Sequence, residues 1–179
     1  MLTELDVLRL ISERLGAGRF QFMLTGSFAL AYYATPRMTR DLDIVVELRE
    51  NDIERFTSAF VADFYLNPDE ARAAVVAQRM FSLMHLQTGI KVDFIVRKAT
   101  EYREAEFLRR RAVKLSGVNT FIVSREDLIL SKLIWAAESN SEMQRRDVKA
   151  LVQASLDEAY LRQWAAALGV AAALEQVLS

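Results

Sequence analysis

Asp41 and Asp43 stand two residues apart at the head of the apolar run Ile44-Val45-Val46, within the segment DLDIVVEL at 41–48. The β-branched run reads as a strand, in which alternate side chains share a face. Both carboxylates therefore point the same way, with Cα atoms roughly 6.5–7 Å apart. Two like charges on one face repel, and the pair persists most readily with cations between them. A two-metal site takes oxygen ligands around ions ~3.5–4 Å apart. Asp93, in the later apolar run Ile90 to Val96, is the third acid that completes such a ligand set if its strand neighbours the first. The competing reading is a solvated pair at a strand's start, bridged to Arg37 or Arg40 for under ~1 kcal/mol.

The residues before the pair favour a phosphate site. Thr3 and Asp6 cap a first helix whose stripe is Leu5, Leu8, Ile11 and Leu15, and Gly16 and Gly18 end it. Residues 20–24, FQFML, form a short buried strand that runs into Gly26-Ser27 and the helix SFALAYYA. A strand, glycine turn and helix can cradle phosphates through backbone amides. Pro36 then breaks the helix. Arg37, Thr39 and Arg40 stand where one of them can position phosphate or substrate, although such residues more often satisfy their own loop.

Downstream, Asn51 with Glu54 predicts a capped helix to about Asp63, and Asn67-Pro68 with Glu70 opens another to about Gln78. Met80 to Gln87 and Ile90 to Val96 read as a hairpin split at Thr88-Gly89. A helix near 100–110 leads to two short strands around Gly117, and everything after Ser124 reads as helical, starting with Ser124 and Asp127 as a cap. A soft boundary near 123 divides the chain into a core, 1–123, and a helical subdomain, 124–179, packed on it. His85 sits in a strand, where a structural role outweighs a catalytic one. Trp135 and Trp164 can serve a nucleic acid, although aromatic residues at helical spacing more often belong to the core.

Composition removes several classes. The chain has 179 residues, 52% of them hydrophobic, enough to bury roughly 70% of its unfolded surface. It has no cysteine and one histidine, which excludes disulfides, thiolate metal sites and multi-histidine zinc. Hard-metal, oxygen-ligand chemistry is left. A net charge of −1 gives no global pull on nucleic acid, so Arg109-Arg110-Arg111 is the best local basic candidate, with a solvated helix end as the commoner meaning. No apolar stretch approaches the ~20 residues of a membrane span, and the N-terminus resembles no targeting peptide. The expected location is cytoplasmic, with no membrane partner.

Taken in order, Gly26-Ser27-x-Ala29, Thr39-Arg40-Asp41-Leu42-Asp43-Ile44 and Val92-Asp93-Phe94 resemble the motifs of the DNA polymerase β-like nucleotidyltransferase superfamily. The resemblance implies an α/β fold, a mixed sheet flanked by helices. It implies Gly26 and Ser27 at the triphosphate, two magnesium ions on Asp41, Asp43 and Asp93, and Asp93 as the group that activates or positions the attacking hydroxyl. More loosely, Glu126-Asp127-Leu128-Ile129-x-Ser131-Lys132 and Arg145-Arg146-Asp147-Val148-x-x-Leu151 look like bacterial abortive-infection, toxin-type nucleotidyltransferases. In those relatives a helix lysine contacts the triphosphate and a later aspartate supports the site, which implies Lys132 and Asp147. Against that stand a lysine reaching out to solvent past apolar neighbours, and an Asp147 bridged to Arg145 or Arg146.

The implied reaction moves a nucleoside monophosphate from a nucleoside triphosphate to an RNA 3′ end or a protein hydroxyl, as a toxin component with an antitoxin partner. Two alternatives stay open. One is transfer to a small molecule such as an aminoglycoside. The other is a catalytically silent module that binds a nucleotide or partner protein in a toxin–antitoxin pair.

Overall fold

A computed structural model describes residues 2–34 and 41–178. The first helix, α1 (Glu4–Ala17), starts at a reciprocal cap. Thr3 Oγ1 accepts from the Asp6 amide, and the Asp6 carboxylate accepts from the Thr3 amide. Such a cap is worth ~1 kcal/mol. Its buried stripe is Val7, Leu8, Ile11 and Leu15, with Leu5 only half-buried at its edge. Strand β1 (Gln21–Leu24) leads directly into α2 (Gly26–Tyr33), and β2 (Leu42–Glu47) follows. Arg37, Thr39 and Arg40 lie outside the described residues, as does the break expected at Pro36.

The next helix departs from expectation at its start. A 3-10 turn, Glu50–Asp52, precedes α3 (Ile53–Phe60), and the Asp52 carboxylate accepts from the Arg49 amide at 2.9 Å. The cap is therefore Arg49/Asp52 rather than Asn51/Glu54. A two-residue strand that the sequence pattern did not predict, β3 (Phe64–Tyr65), joins α3 to α4 (Pro68–Val76), which Asn67 caps with Pro68 at its first position. The hairpin is β4 (Met80–His85) and β5 (Lys91–Val96). Then come α5 (Glu101–Leu108), β6 (Arg111–Leu115), β7 (Val118–Ile122), and the helices α6 (Arg125–Ser139), α7 (Glu142–Leu151), α8 (Glu158–Ala167) and α9 (Ala171–Leu178).

The strands form one mixed sheet in the order β3-β4-β5-β2-β1-β7-β6. β2 runs antiparallel to β1 and parallel to β5, so the two acid-bearing strands are neighbours. Alternation sorts their side chains cleanly. Leu42, Ile44 and Val46 of β2, with Val92, Phe94 and Val96 of β5, are buried on one face. There Phe94 meets Phe56 and Phe60 of α3 and stacks on Phe81. Asp43 and Asp93 occupy the other face. No helix among the described residues is long and apolar enough to cross a membrane.

Candidate active site

Parallel pairing puts Asp43 directly beside Asp93, and antiparallel pairing puts Ser82 of β4 opposite Asp93. On this face the two strands and their neighbour floor a cleft of about 600 Å³, whose walls come from the β1–α2 turn, α5 and α6. Thr25, Gly26, Asp43, Asp93 and Lys132 all line it. Asp41 precedes β2 and is exposed. Its charge acts on Asp43 and on Lys91.

Gly26 is required here for a reason that can be stated in ångströms. Its φ is +61°, and a Cβ built on it would lie 1.9 Å from Asp43 Oδ2. Any side chain would thus drive into the carboxylate. The Thr25 amide also donates to the Asp43 carbonyl at 2.9 Å, which ties the turn to β2. We expect Gly26→Ala to lose ~1–2 kcal/mol through left-handed strain alone, and more through displacement of Asp43. Thermal unfolding and magnesium titration of this variant check both effects.

Crowding is visible in the acids themselves. The Asp43 carboxyl is pushed up to about 6, first by burial, then by the Asp93 and Asp41 charges, with Lys132 and Lys91 opposing. Asp93, 6% exposed, accepts from Ser82 Oγ at 2.5 Å on one oxygen and from Lys91 Nζ at 2.8 Å on the other. That bond, with the surrounding carboxylates, raises the Lys91 pKa. Among the described residues no three His, Cys, Asp or Glu side chains converge closely enough to enclose a metal ion as they stand. The donor set nevertheless fits a hard divalent ion. It is all carboxylate, it is neighboured by the side-chain-free space at Gly26, and its mutual repulsion is the kind a cation relieves.

The remaining predicted residues fall in different places. Ser27 is buried and takes no part in the lining, which Thr25 and Gly26 form instead. Lys132 does not reach out to solvent. It is 3% exposed, and Nζ donates to Asp147 Oδ2 at 2.7 Å and to Gln144 Oε1 at 3.0 Å. Asp147 thus pairs across helices with Lys132, while Arg145 bonds Glu142 and Asn140. His85 is buried and bonds Thr88 Oγ1 through Nδ1 at 2.9 Å, a structural role.

Two expectations about cations and aromatics are corrected. Arg109 bonds Asp127 and Glu126 with its guanidinium 3.8 Å from the Tyr160 ring centroid, and Arg110 packs on Phe107 and Phe121. These two arginines hold α5 to the C-terminal helices and to the sheet edge, so the run is not a free basic patch. Trp135 is not core: it is 52% exposed and lines the cleft, whereas Trp164 packs on Tyr102 and Tyr160.

Sequence reasoning missed Lys91, Ser82 and a bonded trio that lines the cleft, the buried Glu106 with the half-buried Arg103 and Ser131. Lys91 was open to discovery, because it stands two residues before Asp93 and shares its strand face. Ser82 needs the hairpin register. The trio joins two helices whose packing no local pattern announces.

The sequence matches no protein-family model and no curated protein. Solved structures do match. An antigenic nucleotidyltransferase-like protein from Paracoccidioides brasiliensis aligns over 96% of this chain and 90% of its own, with TM-score 0.59 and 14% identity. The lincomycin-bound lincosamide antibiotic adenylyltransferase LnuA aligns over 86% of this chain and 99% of its own, with TM-score 0.57 and 12% identity. ANT(2″)-Ia, in complex with adenylyl-2″-tobramycin, aligns over 90% and 94%, with TM-score 0.55 and 13% identity. At such identities the likeness is one of architecture, and the mixed sheet with its flanking and C-terminal helices is the fold of nucleotidyltransferase-like proteins.

Proposed function

We propose that this chain is a metal-dependent nucleotidyltransferase that moves a nucleoside monophosphate from a nucleoside triphosphate to an acceptor hydroxyl, releasing pyrophosphate. One observation carries the reading: Asp43 and Asp93 lie side by side in register on the cleft floor, against a turn where only glycine fits. Asp41, Asp43 and Asp93 would hold two magnesium ions, which would lower the acceptor hydroxyl's pKa and offset charge on the leaving pyrophosphate. The Gly26-Ser27 turn and the first amides of α2 would receive the triphosphate. Lys132, backed by Asp147, adds a fixed positive charge on the same wall. The acceptor oxygen bonds to the α-phosphorus as the bond to pyrophosphate breaks. Asp93, once Lys91 withdraws from it, takes the acceptor proton.

Within this reading the acceptor is an RNA 3′ end or a protein hydroxyl, in a cytoplasmic toxin that an antitoxin restrains. A second reading, transfer to a small-molecule antibiotic, is favoured by the likeness to LnuA and ANT(2″)-Ia. Calorimetry with each triphosphate tests the core of the proposal. We expect an affinity in magnesium at least ~10-fold tighter than in chelator. Equal, negligible heats in both would make the chain a silent module. Labelled triphosphates mixed with total RNA or lysate then report which pool takes up label.

A further inference from the structure

The cleft has two poles. Asp43 and Asp93 mark one, and Arg79, Arg97, Lys98 and Arg103 mark the other. Arg97 is matched by Glu47 and Glu104 at 3.3 and 3.8 Å. Arg103 is pinned: Nη1 donates to both oxygens of Glu106 at 2.9 and 2.8 Å and to Ser131 Oγ at 2.9 Å. Glu106 is 1% exposed, and its burial raises its pKa while Arg103 and the Ser131 hydroxyl, which also donates to it, oppose that rise. The result is a guanidinium held in one orientation, bonded among the described residues through Nη1 alone. Arg79 and Lys98 are exposed, and neither side chain makes an ion pair or hydrogen bond among the described residues. The acids lining this wall are Glu106, already matched by Arg103, and Glu138.

Trp135 stands on α6 four residues beyond Ser131 and lines the same wall, more than half exposed. A large aromatic face left open in a concave, cation-lined site suits stacking rather than packing. Stacking surfaces beside a basic groove are how single-stranded nucleotides are held, and a planar guanidinium fork matches phosphate oxygens. The same wall repels a polycation.

We propose that this outer half of the cleft is an acceptor subsite for a nucleotide unit, with the base on Trp135 and the phosphate on Arg103, Arg79 and Lys98. The proposal rests on the transfer reading above and names its acceptor class. The nucleotide is either free or the end of a single strand.

The test uses the full chain in chelator, so that binding is read without transfer. A labelled single-stranded pentaribonucleotide is followed by anisotropy, and AMP by calorimetry. We expect the Arg79→Glu/Lys98→Glu double variant, whose side chains are exposed and bond nothing described, to weaken binding at least ~10-fold and to flatten its salt dependence. Trp135→Leu should weaken it about as much and abolish the fluorescence change on binding, which Trp164→Phe should keep. A strand bound more than ~10-fold tighter than AMP assigns the strand end, and equal affinities assign a free nucleotide. Binding unchanged within about twofold in both the double variant and Trp135→Leu overturns the subsite. So does a loss confined to triphosphate binding in magnesium, which would give the wall to the donor. If the parent binds the strand but labels nothing with any triphosphate, the transfer reading fails while the nucleotide site stands.

Discussion

Asp43→Asn lowers nucleotide transfer in magnesium at least ~100-fold, a barrier increase of about 2.7 kcal/mol, and leaves the metal-free protein as stable as the parent or more so. The first effect follows from charge: asparagine keeps the side chain's shape and loses the anion that a bridging metal ligand needs. The second follows from the state of Asp43 in the fold. Burial, Asp93 and Asp41 together push its carboxyl up to about 6 from 3.8. Between those values the folded chain binds more protons than the unfolded chain, so this group's contribution to stability falls as pH rises and is lowest above pH 6. Removing the charge therefore adds up to ~3 kcal/mol at pH 8, a rise of several degrees in melting temperature, and little at pH 4. If the pair were instead an exposed salt bridge with a neighbouring arginine, the signs would reverse, with a small loss of stability and full activity. Unfolding in chelator at pH 4, 6 and 8, beside labelled-nucleotide transfer in magnesium, separates the two. A destabilised and fully active variant would end the metal-ligand assignment at Asp43.

How much of this was legible in advance varies with the range of the interaction. The caps at Thr3, Asn67 and Ser124, the Gly26 turn and the hairpin at Gly89 are local, and the sequence pattern located all of them. Period-two alternation also placed Asp43 and Asp93 on one face each, but only the β2–β5 pairing shows that the faces coincide. Helix faces were harder. Seen on α6 alone, Lys132 and Trp135 look like a solvent-reaching cation and a core aromatic. The structure inverts both, because α7 packs over the first and the cleft opens beside the second. Arg109 and Arg110 mislead in the same way, since a basic run carries no sign of the buried Asp127 or the Phe121 ring it meets. What the sequence could not supply, in each case, was the identity of the element packed against the residue.

The inversion at Lys132 changes what its substitution should do. For a solvent-reaching ammonium, Lys132→Met would weaken triphosphate binding and leave folding alone. For the buried cation observed, the substitution takes away the ammonium from which Asp147, 6% exposed, and Gln144, 1% exposed, both accept. Removing one partner of a buried pair costs about 3–5 kcal/mol, because the other charge is left without its counterion. At ~2–4 °C per kcal/mol for a chain of this size, we expect Lys132→Met to melt roughly 10 °C or more below the parent. Lys132→Met/Asp147→Leu removes both charges together and should recover most of that loss, since apolar replacements of a buried pair are often neutral. Triphosphate affinity is then the discriminating measurement. Lys132 lines the cleft and its charge is felt at Asp43, so a refolded double variant that still binds triphosphate poorly assigns the ammonium to the ligand as well as to the fold. A double variant with parental affinity confines Lys132 to holding α6 against α7.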